Sequence, residues 1–287
     1  MLTTSSRGYI LLAPALIILI FLFFGGFILG TLQSLNYFPL IGLDSPSLDA
    51  YEKVLHNEEL LPGIILTFFV SFTATVLTVV LGVMTALALR GRFRGRKGLL
   101  FFYQFPVTVP HIIIALGTVL FLSQSGTLSR FVYLLGGIRD SSEFPALVND
   151  RWGWGIILVY LWKQIPFIGI IVLSVLQSLG DDYEELAVSL GARRFQVFRH
   201  VLIPLILPGV LPGSIICFAY TFGSYEVPYL LGRPYPSMLS VLVYRYFSNP
   251  DLGQRSPAMA LSILMTVFLL IFVLVYKGLI NRVGSHE

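Results

Sequence analysis

Residues 60–89 read LLPGIILTFFVSFTATVLTVVLGVMTALAL, thirty consecutive positions without a charged side chain. An α-helix needs about 20 residues to cross roughly 30 Å of hydrocarbon, because each residue advances it by about 1.5 Å. The run is therefore long enough for one tilted helix. It predicts a membrane-spanning segment.

The composition of the whole chain supports the same interpretation. Only 12% of its 287 residues are charged and 56% are hydrophobic, whereas a soluble domain carries about 25% charged residues. A larger core cannot explain this deficit, because a core does not remove charge from a surface that faces water. The net charge of +4 is therefore better explained by basic residues that accumulate on one side of a membrane than by a surface that binds nucleic acid. One cysteine and four scattered histidines indicate neither a disulfide framework nor a metal site.

Five further apolar runs have the length of a membrane span. They are Tyr9–Leu29, Leu99–Leu122, Trp152–Leu176, Leu205–Leu230 and Ser256–Tyr276. The first of them is too long for the core of a signal peptide and no small-residue cleavage site follows it, so we expect a retained helix. The predicted fold class is an all-α polytopic membrane protein with six transmembrane helices.

The distribution of lysine and arginine predicts the orientation of the chain. The segment Arg90–Gly98 carries five basic residues and no acid. Placing it in the cytoplasm puts both termini there, with eleven basic residues inside against seven outside. The segment Gly30–Glu59, with five acids and one lysine, then lies outside. The sequence thus predicts a multi-pass protein whose N-terminus and C-terminus are cytoplasmic.

The segment Ser178–Gly209, between the fourth and fifth runs, is long and polar for a simple connector. It reads SLGDDYEELAVSLGARRFQVFRHVLIPLILPG, and its pattern predicts two short helices. Asp181 and Glu184 have the spacing of a cap pair for the first helix. The apolar stripe of that helix consists of Tyr183, Leu186, Ala187 and Leu190.

A turn between the two short helices is predicted at Gly191, where a left-handed residue would end the first of them. The second runs through Arg193, Arg194, Phe195, Phe198 and Val201. Pro204 should perturb its continuation into the membrane. On periodicity alone, the segment is also consistent with an amphipathic connector at the membrane interface.

The same segment resembles the signature of the permease subunits of binding-protein-dependent type I ATP-binding-cassette importers. That signature has the form E-A-A, three residues, G, nine residues, I-x-L-P. Here Glu185-Leu186-Ala187 is followed after three residues by Gly191, and after nine more by Val201-Leu202-Ile203-Pro204. The departures are Leu186 for alanine, with Val201 and Ile203 as aliphatic exchanges. The resemblance covers residues 60–281 and implies the six-helix importer permease fold.

In the family that this chain resembles, the loop docks into a groove of a separate ATPase. By motif position, the resemblance assigns this coupling role to Glu185, Ala187 and Gly191. Leu190 of the apolar stripe and Pro204 of the signature are included with them, and Arg193 and Arg194 are candidate charge partners of the ATPase on position alone. The chain then divides into an N-terminal helix with an acidic external loop (1–59), a transmembrane core (60–281) containing the coupling loop (178–204), and a cytoplasmic tail (282–287).

The energy source for transport is expected on another subunit. The chain contains no G-x-x-x-x-G-K-[ST] sequence, and its nearest string, GRFRGRKG, lacks the required ending. We expect a non-catalytic chain that binds no cofactor, with ATP and Mg²⁺ held by the partner. The resemblance implies two ATPase subunits, a second and different permease chain, an external substrate-binding protein and a bacterial inner-membrane location.

Two residues whose side chains are charged at neutral pH lie within the apolar runs, Lys163 in the fourth and Glu226 in the fifth. Such residues are costly in lipid and by default mark functional positions. Both fall in the outer half of the membrane, where they can pair or line a translocation pathway, and Pro166 should bend the helix beside Lys163. The alternative is a lysine and a glutamate that both reach the headgroups.

The acidic outer loop and the segment YLWKQIPF (Tyr160–Phe167) resemble the importer branch that serves polyamines, ferric ion, thiamine and phosphonates. We therefore expect a small polar solute such as a polyamine. A stand-alone secondary transporter is the alternative, but it would need ion-coupling carboxylates at mid-membrane. Glu226 is the only acid within a run and lies near its end. A membrane-embedded enzyme would need a catalytic cluster that the sequence lacks.

Overall fold

The computed structural model describes residues 4–91, 93–179 and 182–284, with side chains described at 11–91, 93–178, 183, 185–278. Asp181, the first residue of the predicted cap pair, and the end of the predicted tail (285–287) lie outside the described residues. Thirteen α-helices form the regular structure of the described part. They are α1 (Thr4–Ser34), α2 (Asp49–Leu55), α3 (Leu60–Leu89), α4 (Arg96–Thr108), α5 (His111–Leu122), α6 (Thr127–Leu134), α7 (Trp154–Leu179), α8 (Asp182–Ser189), α9 (Arg194–Val197), α10 (Ile203–Gly223), α11 (Glu226–Leu231), α12 (Leu239–Phe247) and α13 (Arg255–Gly284).

Six stretches of the described chain are long and apolar enough to cross a membrane, which confirms the predicted fold class. They are Leu11–Ser34, Leu60–Leu89, His111–Leu134, Trp154–Ser178, Arg194–Gly223 and Leu252–Gly278. The start of the fourth follows from local chemistry. The Asp150 carboxylate accepts hydrogen bonds from the backbone N–H groups of Trp152, Trp154 and Gly155, so it satisfies donors that the first turn of α7 leaves free.

Two predicted spans are wrong as continuous helices. The run Leu99–Leu122 divides into α4 and α5 at Val109 and Pro110, because Pro110 has no N–H and disfavours a helical conformation in the residue before it. Val109 is accordingly extended, with ψ 132°. The run Leu205–Leu230 ends as a helix at Gly223, since Ser224 is also extended, with ψ 135°. A separate short helix, α11, follows.

The described chain forms two compact units. One combines residues up to Leu60 with those from Leu242 onward, where α13 packs against α1 and α2. Inside this unit the Ser34 and Tyr51 hydroxyls lie 2.9 Å apart, and Arg245 forms an ion pair of 2.8 Å with the largely buried Glu59.

The second unit, residues Leu61–Val241, is organised around α7. Near its start, Ile156, Ile157 and Tyr160 form one hydrophobic cluster with residues of α3, α5 and α11. Towards its end, Ile168 and Val172 form a second cluster with residues of α3 and α10. The helices approach α7 closely at glycines: a Cβ on Gly82 of α3 would lie 2.9 Å from the Ile168 side chain.

Candidate functional site

Both helix breaks of the second unit lie beside α7, and polar side chains gather there. The first break separates α4 from α5 at Val109 and Pro110, and the second separates α10 from α11 at Ser224 and Tyr225. Helix α11 packs against both α5 and α7. Because helix ends leave backbone groups without helical partners, we call the side chains around these ends the break cluster: His111, Tyr160, Lys163, Tyr220, Ser224 and Glu226.

Lys163 of α7 is anchored at the first break. Its Nζ donates a hydrogen bond to the backbone carbonyl of Val109. This carbonyl follows the last residue of α4, where the proline that comes next cannot continue the helix. The ammonium group therefore satisfies an acceptor that the break exposes, and the break gives the half-buried ammonium a partner within an apolar span.

The two breaks are joined by an aromatic contact. The rings of His111 and Tyr220 stack with centroids 4.5 Å apart and an interplanar angle of 27°, and the Tyr220 hydroxyl lies 2.9 Å from His111 Nδ1. Tyr160 of α7 meets Tyr220 edge-on at 6.3 Å. The Tyr160 hydroxyl and His111 Nε2 are buried with no hydrogen-bond partner among the described residues.

An open concavity of about 370 Å³ adjoins this cluster. It is lined by Ala219, Tyr220, Gly223, Ser224, Tyr225 and Glu226. Glu226 lies close enough to Lys163 for a Coulombic interaction, but among the described residues the hydrogen-bond partner of Lys163 is Val109 and not Glu226. The structure thus places both sequence-predicted ionisable residues in one cluster without a direct ion pair.

Helix α7 remains helical through Pro166, and the bend expected there stays a prediction. The Tyr103 hydroxyl contacts the Ile165 carbonyl at 3.2 Å and the Thr85 hydroxyl at 2.7 Å. It therefore ties α3 and α4 to α7 next to the proline. A Cβ on Gly169 would meet this tyrosine, so glycine is needed for the contact.

Sequence reasoning missed five members of this polar region: His111, Tyr160, Gln164, Tyr220 and Ser224. Gln164 is buried, donates to the Thr221 hydroxyl at 2.9 Å and lies 3.5 Å from the Thr78 hydroxyl. A signal was present, since an amide beside Lys163 and an imidazole directly after Pro110 are unusual in apolar spans. The contacts themselves depend on the two breaks, which the apolar pattern does not reveal.

The second candidate site is the segment 182–204, which contains the signature. Helix α8 ends in a Schellman motif: Gly191 has φ 85°, its N–H donates to the Val188 carbonyl at 2.9 Å, and the Ala192 N–H donates to the Ala187 carbonyl at 3.0 Å. The predicted left-handed end of this helix is confirmed. The motif residues Ala187 and Gly191 thus determine how α8 turns into α9.

The apolar stripe of α8 is exposed. Tyr183 is 51%, Leu186 62% and Leu190 81% exposed, and Phe195 on α9 is 68% exposed. The signature residue Glu185 and the basic residues Arg193 and Arg194 are exposed beside them. Exposed apolar side chains flanked by charges are typical of protein interaction surfaces.

This surface continues through helical structure into the fifth span. The Arg193 N–H donates to Gln196 Oε1 at 2.7 Å at the start of α9. A π-helical turn, Phe198–Leu202, then connects α9 to α10, with the Ile203 N–H bonded to the Phe198 carbonyl. Pro204 lies in the first turn of α10, so the predicted perturbation is a π turn and not an interruption. Leu202 belongs to the second hydrophobic cluster with Leu89, Ile168 and Leu173, so the segment that follows α9 packs against α3 and α7.

Comparisons with known proteins identify the family and the fold of the chain. Residues 78–285 match the family described as the binding-protein-dependent transport system inner membrane component. The chain is 27% identical over 283 residues to the trehalose/maltose transport system permease protein MalF of Thermococcus litoralis, covering 95% of this chain and 92% of that protein. It is 26% identical over 241 residues to the spermidine/putrescine transport system permease protein PotC of Haemophilus influenzae, covering 82% of each chain.

Two solved structures share the fold. A chain of a bacterial ABC transporter involved in the import of the acidic polysaccharide alginate has a TM-score of 0.79 at 23% identity, with 96% of each chain covered. The alginate transporter in complex with a periplasmic protein bound to an alginate pentasaccharide gives a TM-score of 0.80 at 21% identity, covering 96% of this chain and 94% of that one. Six apolar helices and a family match over most of its length make this chain a multi-pass inner membrane protein. It belongs to the binding-protein-dependent transport system inner membrane components, the permease subunits of type I ATP-binding-cassette importers.

Proposed function

We propose that this permease docks a separate ATPase through α8 and forms part of the translocation pathway at the break cluster. The exposed apolar stripe of α8, which ends in a left-handed turn at Gly191, carries the coupling part of the proposal. Burying Leu186 and Leu190 in a partner would remove their apolar surface from water, and such burial is a main source of affinity. ATP and Mg²⁺ then bind to the ATPase, while this chain remains non-catalytic.

The assembly that we propose contains two ATPase subunits, this chain, a second and related permease chain, and an external substrate-binding protein. The alginate transporter in complex with its periplasmic protein supports the last of these partners by analogy of fold. In this arrangement α8, α9 and the segment Arg90–Gly98 face the cytoplasm, as do both termini, and the acidic segment Gly30–Glu59 faces outward.

The pathway part of the proposal depends on the chemistry of the break cluster. An apolar span can carry Lys163, Glu226, His111 and Gln164 only where partners or water compensate for their burial. The concavity lined by Tyr220, Tyr225 and Glu226 provides such an environment beside α7. Discontinuous helices are also where membrane transporters expose backbone groups to a substrate.

For the substrate, we propose a neutral solute rich in hydroxyl groups, such as a di- or oligosaccharide. Tyrosine rings, a serine hydroxyl and one carboxylate line the concavity, and the nearby Lys163 offsets the charge of Glu226. Such a surface offers stacking and hydrogen bonds without net charge. The similarity to the trehalose/maltose permease MalF of Thermococcus litoralis, which covers 95% of this chain, also favours a saccharide.

A polyamine is the second candidate. Glu226 provides a carboxylate at the concavity, tyrosine rings attract cations, and PotC of Haemophilus influenzae is a similar permease for spermidine and putrescine. One of the five acids of the segment Gly30–Glu59 is already paired, because Glu59 forms an ion pair with Arg245.

Reconstitution tests the whole proposal. The complex with its ATPase and binding protein, sealed in proteoliposomes, should take up substrate only with ATP on the ATPase side. Mass spectrometry of the ligand released from the purified binding protein distinguishes a saccharide from a polyamine. ATP-independent uptake by this polypeptide alone would identify a secondary transporter and overturn the proposal.

A further inference from the structure

A strongly basic segment connects the end of α3 to the start of α4. Residues 90–97 contain five basic residues and no acid. Leu89, the last residue of α3, and Leu100, in the first turns of α4, pack in the second hydrophobic cluster with Leu202. The segment therefore lies at the same end of this unit as the signature-bearing segment and at the end of two apolar helices, where a bilayer has its headgroups.

A hydrogen bond and a glycine turn shape the described part of the segment, residues 93–97. Arg96 Nε donates to the Leu89 carbonyl at 2.9 Å, which places a cation at the C-terminal end of α3, where a helix favours positive charge. Gly95 turns the chain with φ 87°. An open concavity of about 340 Å³ results, lined by Phe93, Gly95, Arg96 and Lys97. The side chains of Arg94 and Lys97 are exposed beside it.

An apolar column continues directly from this basic segment. Lys97, Phe101 and Phe105 are four residues apart on α4, so they lie on one face of the helix. Phe101 is 66% and Phe105 52% exposed. Eight residues of helix span about 12 Å, which matches the upper part of an acyl chain. One face of α4 thus presents a cation, Lys97, followed by the exposed aromatic side chains of Phe101 and Phe105.

We propose that this surface binds one anionic phospholipid, with its phosphate at Arg94 and Lys97 and an acyl chain along Phe101 and Phe105. Clustered basic residues next to a membrane helix attract anionic lipid headgroups. A soluble protein partner would match the charges, but it would not cover the phenylalanines that continue into the span. The continuity of charge and hydrocarbon on the Lys97 face therefore favours a lipid over the ATPase.

Native mass spectrometry of the purified transporter complex tests this proposal. The delipidated complex would be titrated with phosphatidylglycerol and, separately, with phosphatidylcholine of the same acyl chains. The Arg94→Gln/Lys97→Gln variant should bind phosphatidylglycerol about 25-fold more weakly at low ionic strength, since each basic residue near a membrane surface contributes about five-fold. The charge-retaining variant Arg94→Lys/Lys97→Arg should bind as the parent does.

The matched control is Arg130→Gln/Arg139→Gln, which removes two exposed arginines that follow α5 and should leave the affinity unchanged. If the double variant fails to assemble, Lys97→Gln alone keeps four basic residues and should bind about five-fold more weakly. Unchanged phosphatidylglycerol affinity in these variants, or equal affinity of the parent for phosphatidylcholine, would overturn the proposal. If the Arg94 and Lys97 variants lose the ATPase from the complex but keep their affinity for phosphatidylglycerol, the surface docks a protein instead.

Discussion

The Nζ of Lys163 donates a hydrogen bond to the backbone carbonyl of Val109. This contact links the middle of α7 to the junction between α4 and α5. An ammonium group and a carbonyl that lacks a helical partner would each be costly within an apolar span. Their pairing removes both costs, and it couples the position of α7 to the junction between α4 and α5.

Lys163→Met should therefore impair transport. The substitution keeps an unbranched apolar side chain but leaves the Val109 carbonyl without its donor, which costs about 1–3 kcal/mol for a buried group. Initial uptake rates of the reconstituted complex would measure the effect. Lys277→Met, which changes an exposed lysine near the end of α13, is the control and should transport at the parental rate. Parental uptake by the Lys163 variant would contradict the role given to this hydrogen bond.

Glu226 and Lys163 should show weak energetic coupling. They interact electrostatically without a hydrogen bond between them, so Glu226→Gln combined with Lys163→Met should be less harmful than the sum of the single changes by about 0.5 kcal/mol, the lower end for interacting pairs. A double-mutant cycle on uptake rates provides the value. If the effects of the two substitutions on uptake are strictly additive, Glu226 and Lys163 do not interact.

Gly191→Val should weaken the coupling between the ATPase and the permease. Gly191 has φ 85°, and a β-branched side chain in the left-handed region costs roughly 1–2 kcal/mol. The population of the turn that positions α8 for docking should therefore fall about tenfold. Substrate-stimulated ATPase activity and uptake should fall together. Gly191→Asn is the matched control, because asparagine tolerates this conformation and the Schellman motif; it should retain most of the activity. Equal activity of both variants would remove the turn from the coupling mechanism.

Leu190→Asp should weaken ATPase binding without destabilising the permease. Leu190 is 81% exposed, so the charge meets water in the free chain but must be buried in a docked complex. Losing a buried leucine contact costs about 2 kcal/mol, or roughly 30-fold in affinity. Co-purification of the ATPase and the melting temperature of the permease measure the two effects separately. Leu40→Asp, at a position 86% exposed in the first unit, is the control and should retain the ATPase.

The number of spans and the turn at the end of α8 could be predicted from the sequence because they depend on local patterns. A run without charge has the same length whatever its neighbours are. The end of α8 at Gly191 depends on two hydrogen bonds within a single turn, from the Gly191 N–H to the Val188 carbonyl and from the Ala192 N–H to the Ala187 carbonyl. The breaks at Val109 and Ser224 could not be predicted in this way. Prolines are frequent in membrane helices, and Pro166 and Pro208 lie within continuous helices, so a proline alone does not distinguish a break from a helix interior.

The break cluster was only partly predictable for the same reason. Lys163 and Glu226 stand out because they are charged at neutral pH and lie within apolar runs. The partner of Lys163 is a backbone carbonyl, which carries no sequence signal. His111 and Tyr220 are brought together by helices whose residues lie more than a hundred positions apart, and no spacing rule connects them.

Gly82→Ala should destabilise the second unit although alanine favours helix. A Cβ at this position would lie 2.9 Å from the Ile168 Cβ and 3.1 Å from the Ile165 carbonyl, atoms that cannot move without shifting α7. Overpacking of this kind costs about 1–3 kcal/mol. Gly25→Ala in α1, where a Cβ meets nothing within 4 Å, is the control and should be neutral or stabilising. Melting temperatures in detergent would compare the two, and an unchanged value for the Gly82 variant would contradict the close packing against Ile168.

Glu226→Gln should distinguish the two substrate classes. The side chain lines the concavity with Tyr220 and Tyr225, and glutamine keeps its size and hydrogen-bonding capacity while removing its charge. With a saccharide the KM of ATP-driven uptake should change by only about two- to fivefold, because a neutral hydrogen bond replaces one to a charged acceptor. With a polyamine the KM should rise by roughly tenfold or more, since a charge-assisted contact is about twice as strong. Asp251→Asn, an exposed acid outside the concavity, controls for the loss of one negative charge. A KM that does not respond to Glu226→Gln for either class of solute would place the transport pathway away from this concavity.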